Sequence, residues 1–222
     1  MSLTLTKNNF QEIRELARLL APLGVRWLGA RRIAPFGLGG DQLKNLVLEP
    51  KELRNLYSEI ENVNVELSEK KSILKVVGGC ENSVFNDEIS RRNFMSYGTC
   101  GVNEGRILTL MPDGNVLICR RFPIKIGNVL EKSLEEIYYS PLYENMRGEN
   151  VDAPLECYPC PNVKSCLGGA KCIAYALTGK TAPDVQCWKL FENLEESVAY
   201  VKRQKLLKKL SLFLKIFKAY YT

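Results

Sequence analysis

Histidine is absent from this 222-residue chain. Its absence excludes Ser-His and Cys-His nucleophilic pairs, histidine general bases and every metal site that needs an imidazole ligand. If a transition metal binds here, thiolates have to supply its ligands, and the chain has eight cysteines to do so.

Long apolar runs and an export signal are also missing. No apolar segment approaches the roughly 18 residues of a membrane span, and residues 1–20 lack a basic region followed by an apolar one. The cysteines could instead form disulfides of a secreted protein, but such scaffolds are usually much shorter. We therefore expect free thiols in a reducing cytoplasm.

The net charge of +6 comes from one end of the chain. Residues 201–222 hold seven basic and no acidic side chains, whereas the other residues hold 24 basic and 25 acidic ones. Because the body of the protein is nearly neutral, the composition gives no indication of a nucleic-acid partner.

Five cysteines cluster between residues 157 and 187. The stretch reads Cys157-Tyr-Pro-Cys160, then five residues, Cys166-Leu-Gly-Gly-Ala-Lys-Cys172, and later Cys187. A Cys-x-x-Cys turn directs two thiolates at one metal or cluster, and the Pro, Asn and Gly residues between the cysteines allow sharp turns. This pattern predicts a soft-ligand metal site.

The first half of the chain has an α/β pattern. Residues Leu3–Thr6 and Val25–Leu28 are predicted strands, and between them Asn9 and Glu12 form a capping-box pattern before a helix. The apolar stripe of that helix is Ile13, Leu16, Ala17 and Leu20. This order predicts a parallel sheet covered by helices.

Three further features follow in this half. The Gly- and Pro-rich loop over residues 31–40 is either a ligand loop at the end of a strand or a plain connection. A second helix is predicted from Pro50, with Leu53, Leu56, Tyr57 and Ile60 on one face. Strands are predicted at Val63–Leu67 and Ile73–Val77.

From Cys100 onward the sequence pattern changes to short β-runs separated by turn residues. Two β-runs, Arg106–Leu110 and Asn115–Ile118, flank a Pro112-Asp-Gly114 turn and predict a hairpin. Ser133 and Glu136 form another capping box, and a short helix over Cys172–Leu177 is closed by Gly179. We expect a domain boundary near residue 95.

With the cysteines laid out, the chain resembles the SPASM domain, the auxiliary iron–sulfur extension of a group of radical S-adenosylmethionine (radical SAM) enzymes. The pattern is Cys100, thirteen residues, Gly114, four residues, Cys119, a gap, Cys157-x2-Cys160-x5-Cys166-Leu-Gly-Gly, a gap and Cys187. The agreement of many paired spacings makes this resemblance specific, whereas a lone Cys-x-x-Cys would not.

The resemblance implies two [4Fe–4S] clusters. One would be held by Cys157, Cys160, Cys166 and Cys187, and most of a second by Cys100, Cys119 and Cys172. This sequence departs from the family where Ala170 replaces a usual cysteine, so that Cys172 lies two residues further on. The second cluster also lacks an obvious fourth ligand, and Cys80 is either that ligand or a buried apolar thiol.

The first ninety-odd residues are similar to the last βα units of the partial (β/α) barrel that precedes SPASM. That similarity places Arg32, Pro35 and Gly37 at the edge of the S-adenosylmethionine pocket. The Cys-x3-Cys-x2-Cys triplet that binds the S-adenosylmethionine-cleaving cluster does not occur in the chain. We therefore expect a truncated or split enzyme that does not perform the radical reaction alone and uses S-adenosylmethionine only if a missing N-terminal half completes it.

The predicted architecture is a barrel remnant over residues 1–95, a cysteine-rich SPASM-like α+β domain over 96–192, and a basic amphipathic helix over 193–222. The predicted function is electron transfer or substrate positioning in a radical SAM system that modifies peptides or proteins, or matures cofactors. Expected partners are a separate N-terminal half or a peptide or protein substrate.

Several alternatives stay open from the sequence. Zinc would make the cysteine stretch a structural or interaction module without redox activity, and a degenerate fragment would have no activity at all. Asp184 either orients a ligand or a substrate, or caps a turn. In the C-terminal helix the apolar face over residues 200–222 contacts an anionic membrane, docks on a partner or packs on the domain, and we favour packing.

Overall fold

The computed structural model describes residues 1–37, 39–79, 100–147 and 153–203, which form two three-stranded sheets with flanking helices. The strands are β1 (Ser2–Leu5), β2 (Trp27–Arg32), β3 (Lys75–Gly78), β4 (Thr109–Leu110), β5 (Asn115–Cys119) and β6 (Phe122–Asn128). The helices are α1 (Ile13–Leu20), α2 (Gly40–Lys44), α3 (Pro50–Glu69), α4 (Leu134–Tyr138), α5 (Pro141–Glu144), α6 (Val163–Cys166), α7 (Lys171–Thr178) and α8, described over 194–203.

The first sheet is parallel, in the order β1-β2-β3. Helix α1 connects β1 to β2, and α2 and α3 lie between β2 and β3. The predicted α/β class with a parallel sheet is therefore confirmed. Strand β2 begins two residues later than predicted and reaches Arg32, because its pairing with β1 continues to the Leu5–Arg32 pair. Arg31 and Arg32 thus belong to the strand rather than to the loop.

Both long helices bury their apolar faces on this sheet. Leu5, Leu28 and Val76 of the strands are almost completely inaccessible to solvent. The helical side of the same core consists of Ile13, Ala17, Leu20, Leu53, Leu56, Tyr57, Ile60, Val63 and Leu67. Each large aliphatic side chain buried in this way contributes about 1.5–3 kcal/mol.

The strand predicted at Val63–Leu67 is wrong, since these residues form the end of α3. Val63 and Leu67 are buried and continue the 3- and 4-residue spacing that runs through Ile60. A run of only five residues fits both the two-residue period of a strand and the 3.6-residue period of a helix. The apolar stripe of the longer segment shows that the helical period applies.

The capping box predicted at Asn9 does not form. Asn9 precedes a short 3-10 turn (Phe10–Glu12), and its side chain makes no cap hydrogen bond. Its Oδ1 accepts from the Thr6 N–H at 2.8 Å, and its Nδ2 donates to the Thr4 carbonyl at 3.0 Å. The amide therefore braces the turn that leaves β1, because a side-chain-to-backbone bond within the turn competes with capping.

The second sheet is antiparallel, in the order β4-β5-β6. The predicted hairpin is confirmed, although β4 is only two residues long. Gly114 has φ +79°, and Asp113 Oδ1 accepts from the Asn115 N–H at 3.1 Å, which closes the turn. The side chain of Asn128 adds a bond to the Asp113 carbonyl and so ties β6 to the same turn.

Two local predictions in this half are confirmed. Ser133 and Glu136 form a reciprocal capping box at the start of α4. Helix α7 ends at Gly179 in the left-handed conformation, with φ +70°.

The predicted boundary near residue 95, Cys80, and most of the apolar face over 200–222 lie outside the described residues. In the part of the chain that the structure describes, no helix is long and apolar enough to cross a membrane.

Candidate metal centre

Four cysteines meet around one cavity beside the first sheet. Cys157 ends a 3-10 turn, Cys160 lies in the next turn, Cys166 ends α6, and Cys187 follows the Asp184 turn. The cavity has a volume of about 270 Å³ and is lined by all four thiols. These are the four residues that the resemblance assigns to one cluster, and the fold brings them together.

Burial makes the thiols of Cys157 and Cys187 weaker acids, because it disfavours the charged thiolate. Burial raises the pKa of the Cys157 thiol to about 11, and that of the Cys187 thiol to about 12. The carboxylate of Asp184 adds to the shift at Cys187, whereas hydrogen bonds from the Lys189 and Leu190 backbone oppose it. Because metal ligation uses the thiolate, a metal centre that binds here displaces protons.

The other three described cysteines surround a second cavity. Cys100 precedes the hairpin, Cys119 ends β5 and Cys172 lies in the first turn of α7. Their cavity has a volume of about 180 Å³. The Arg121 N–H donates to the Cys119 sulfur at 3.5 Å. The predicted grouping of these three thiols matches the lining of this cavity, and Cys80 falls outside the described residues.

None of the seven described cysteines forms a disulfide bond. Among the described residues, no three Cys, Asp or Glu side chains converge closely enough to hold a single metal ion. In both groups the thiols surround a space.

A three-residue reversal separates the two groups. Leu167, Gly168 and Gly169 all have positive φ, at 50°, 85° and 73°. A Cβ on Gly168 would lie 2.6 Å from Pro154 Cδ, and one on Gly169 would lie 2.6 Å from Asp184 Cβ. The Gly-Gly pair after Cys166 therefore meets both a backbone and a space requirement.

A buried ion pair joins the two cysteine groups to the first sheet. Arg32, at the end of β2, donates from Nη2 to Asp184 Oδ2 at 2.7 Å and from Nη1 to Asp184 Oδ1 at 3.2 Å. Both side chains are about 1% exposed. Asp184 also accepts from the Ala170 N–H at 3.1 Å and from the Gln186 N–H at 3.0 Å. It thereby fixes the start of α7 and the turn that carries Cys187.

Sequence reasoning missed this pair, because its partners are 152 residues apart. The one available signal was that Asp184 precedes Cys187. In the structure the Asp184 carboxylate both closes the turn before Cys187, by accepting from the Gln186 N–H, and pairs with Arg32. Gln186 extends the network to the Leu48 carbonyl at 2.8 Å, and the Arg32 carbonyl accepts from Arg121 Nη2 at 2.6 Å.

The residues predicted at the edge of an S-adenosylmethionine pocket lie at the end of β2 and in the loop after it. The Arg32 guanidinium is directed into the ion pair with Asp184. Pro35 is buried, and Gly37 is exposed with φ +82°. The three residues are close in the chain, but the Arg32 side chain and Gly37 are in different environments.

Comparison with known families agrees with this geometry. Residues 100–161 match the family model described as the SPASM iron–sulfur cluster-binding domain. The matched range holds Cys100, Cys119, Cys157 and Cys160, and the remaining described cysteines follow it. This segment of the chain is thus similar to the SPASM iron–sulfur cluster-binding domain.

Several solved structures are similar to this chain over most of its length. The structure of anSMEcpe with bound AdoMet has a TM-score of 0.61 at 13% identity, over 94% of this chain and 53% of that one. Streptococcus suis SuiB bound to S-adenosylmethionine gives 0.50 at 17% identity, over 84% and 44%. SuiB bound to precursor peptide SuiA gives 0.52 at 19% identity, over 84% and 44%.

The family match and these neighbours together confirm the predicted resemblance of the chain to part of a radical SAM/SPASM protein. At such low identities the likeness concerns the fold alone. The chain spans about half the length of the solved structures that it matches.

Proposed function

We propose that this protein binds two auxiliary [4Fe–4S] clusters that serve electron transfer or substrate positioning in a radical SAM system. The observation that carries the proposal is the cavity lined by Cys157, Cys160, Cys166 and Cys187, of which the first two lie within the segment that matches an iron–sulfur domain. Four thiolates are the usual ligand set of a cubane cluster.

The separation of the thiols favours a cluster over zinc. A zinc ion lies about 2.3 Å from each thiolate sulfur, so four sulfurs have to close around it. Among the described residues no three ligating side chains converge closely enough for a single metal ion, and the four thiols line a cavity of about 270 Å³. The donor set and the space both fit a multi-iron group.

Two separate sets of cysteines would supply the ligands of the two clusters. Cys157, Cys160, Cys166 and Cys187 would hold the first cluster, and Cys100, Cys119 and Cys172 would hold three corners of the second. A bound cluster would supply one-electron chemistry, and an iron without a fourth cysteine would offer a position for another ligand. The Arg121 N–H would stabilise the Cys119 thiolate, and Asp184 would keep the two ligand loops in register.

The first sheet supports a proposal about the rest of the system. We infer that β1–β3 are the last βα units of a partial barrel, and that a separate N-terminal half extends the sheet from β1. Within the described residues β1 pairs only with β2, so its other edge is available to another strand. That half would bring the S-adenosylmethionine-cleaving cluster, and Pro35 and Gly37 would contact S-adenosylmethionine while Arg32 supports the loop from behind.

A peptide or protein is the substrate class that we favour for the completed system. SuiB, one of the structures with this fold, is bound to a precursor peptide, and that fact motivates the choice. We place the protein in the cytoplasm, where a reducing environment keeps thiols available for clusters.

The deciding experiment measures iron, acid-labile sulfide and zinc per chain after strictly anaerobic purification. About eight iron and eight sulfide support two clusters, and about four of each support the first site alone. One or two zinc ions without sulfide would overturn the proposal and leave a structural module.

The proposed partner has its own test. An N-terminal half encoded nearby, produced with this chain under anaerobic conditions, should co-purify with it and cleave S-adenosylmethionine after reduction. Two halves that stay separate on a sizing column, although both carry their clusters, would rule out a split enzyme.

A further inference from the structure

The Lys171 side chain places a buried amino group beside the second group of cysteines. Lys171 is the first residue of α7 and stands immediately before Cys172. Its Nζ atom is buried and has no hydrogen-bond partner among the residues that the structure describes. It lines the cavity of Cys100, Cys119 and Cys172.

The ammonium also lies within electrostatic reach of the first cysteine group. Burial lowers the pKa of Lys171, whereas negative charge on Cys100, Cys166 and Cys157 would raise it. Cys100 belongs to the second group, and Cys157 and Cys166 belong to the first. Lys171 thus lines the cavity of the second group and also interacts electrostatically with two thiols of the first group.

A cation in this position is unfavourable on its own. A buried charge needs a partner, and the N-terminal end of a helix favours negative rather than positive groups. An anion beside the ammonium offsets both the cost of burying the charge and its repulsion from the helix N-terminus. An iron–sulfur cluster held by thiolates is such an anion, and it becomes more negative by one charge when it is reduced.

We propose that Lys171 is a positioning residue whose fixed charge favours the reduced form of both clusters, most strongly the one at Cys100, Cys119 and Cys172. The inference rests on the proposed function, since it needs clusters at the two sites. The redox step is the uptake of one electron by a cluster from an external donor, and Lys171 neither gives nor takes a proton in it.

The test is an EPR-monitored redox titration of the anaerobically purified protein, with dithionite as the electron donor. Lys171→Met removes the charge at similar size, and Lys171→Arg keeps it. Lys164→Met is the matched control, because Lys164 lies on α6 in the same stretch but is exposed to solvent. The variant Cys119→Ala identifies which EPR signal belongs to the second cluster.

We expect Lys171→Met to disfavour reduction of the second cluster about tenfold, which corresponds to a potential about 59 mV more negative for a one-electron couple. The first cluster should shift in the same direction by less, and Lys171→Arg and Lys164→Met should stay close to the wild type. If Lys171→Met does not accumulate as folded protein, Lys171→Gln provides the same loss of charge with a polar side chain.

Two failures are distinguishable. Unchanged potentials in a Lys171→Met or Lys171→Gln protein with full iron and sulfide would overturn the role of Lys171 and leave the proposed function intact. A wild-type protein without iron and sulfide would overturn the proposed function, and this inference with it.

Discussion

The two cysteine groups are assembled in different ways. The first draws its four thiols from one stretch of 31 residues, where turns and the short helix α6 set their positions. The second takes Cys100 from the segment before a hairpin, Cys119 from the end of a strand and Cys172 from a helix. The first is a product of local turns, and the second forms only when the hairpin and α7 pack together.

The two cysteine groups also pack against different hydrophobic cores. Cys166 and Cys187 pack against the core of the parallel sheet, whereas Cys100, Cys119 and Cys172 pack against a small core around Ile118, Phe122 and Tyr143. The first group is thus anchored on the larger core. A metal centre built from local turns on a large core should tolerate damage elsewhere better than one that depends on three separate elements.

Removal of one ligand from each group gives the largest effect and the most direct comparison. Cys160→Ala should eliminate the first cluster and lower the iron content by about four per chain, and Cys119→Ala should do the same for the second. Iron and sulfide analysis with EPR of the reduced protein measures both losses.

The same two variants test whether each cluster assembles without the other. If Cys119→Ala removes all iron from the chain, the first group does not assemble without the second, and the distinction between local and composite sites fails.

Loss of the buried ion pair should have the next largest effect, on both groups together. Asp184→Asn leaves the Arg32 guanidinium buried without its counter-charge, which costs about 3–5 kcal/mol when one partner of such a pair is removed. Urea unfolding of the loaded protein measures the cost, and iron analysis shows whether both clusters are weakened.

The control for this change is the same substitution at the surface. Asp41→Asn removes the carboxylate that pairs with Lys44, but 93% of the Asp41 side chain is exposed, so little change in stability is expected. If Asp184→Asn fails to fold, Arg32→Met combined with Asp184→Leu removes both charges and should restore much of the stability. Equal urea midpoints for Asp184→Asn and Asp41→Asn would contradict the role assigned to the pair.

Local pattern predicted much of this molecule. The hairpin at Pro112-Asp-Gly114, the capping box at Ser133 and the parallel β1–β2 pairing follow from residues close in the chain, and the structure contains them. The grouping of the cysteines followed from the resemblance of their spacings to a family, which already encodes the fold around them.

The errors arose where two local rules competed or where the partner was distant. Residues Val63–Leu67 fit a short strand when taken alone, but the apolar stripe of the whole helix includes them. The Asn9 side chain bonds to the backbone of the turn that precedes it and does not cap the helix that follows. No local rule relates Arg32 to Asp184, or shows that the Nζ atom of Lys171 is buried in the cavity of Cys100, Cys119 and Cys172.

The connection between the groups offers the smallest and most selective perturbation. Gly169 and Gly179 both have positive φ, at 73° and 70°, but a Cβ on Gly179 would meet no atom within 4 Å. Gly179→Ala therefore costs only the left-handed backbone strain of about 1–2 kcal/mol. Gly169→Ala adds overlap with the buried Asp184, for about 2–5 kcal/mol in total.

The second group should be the one that responds to Gly169→Ala. Asp184 accepts a hydrogen bond from the Ala170 N–H, so a displaced Asp184 shifts the start of α7 and moves Cys172 away from Cys100 and Cys119. The first group keeps the turns that position Cys157, Cys160 and Cys166. We expect Gly169→Ala to lose mainly the second cluster while Gly179→Ala retains both, as measured by iron content and EPR. Preferential loss of the first cluster would mean that the reversal at Leu167–Gly169 serves the four-cysteine group instead.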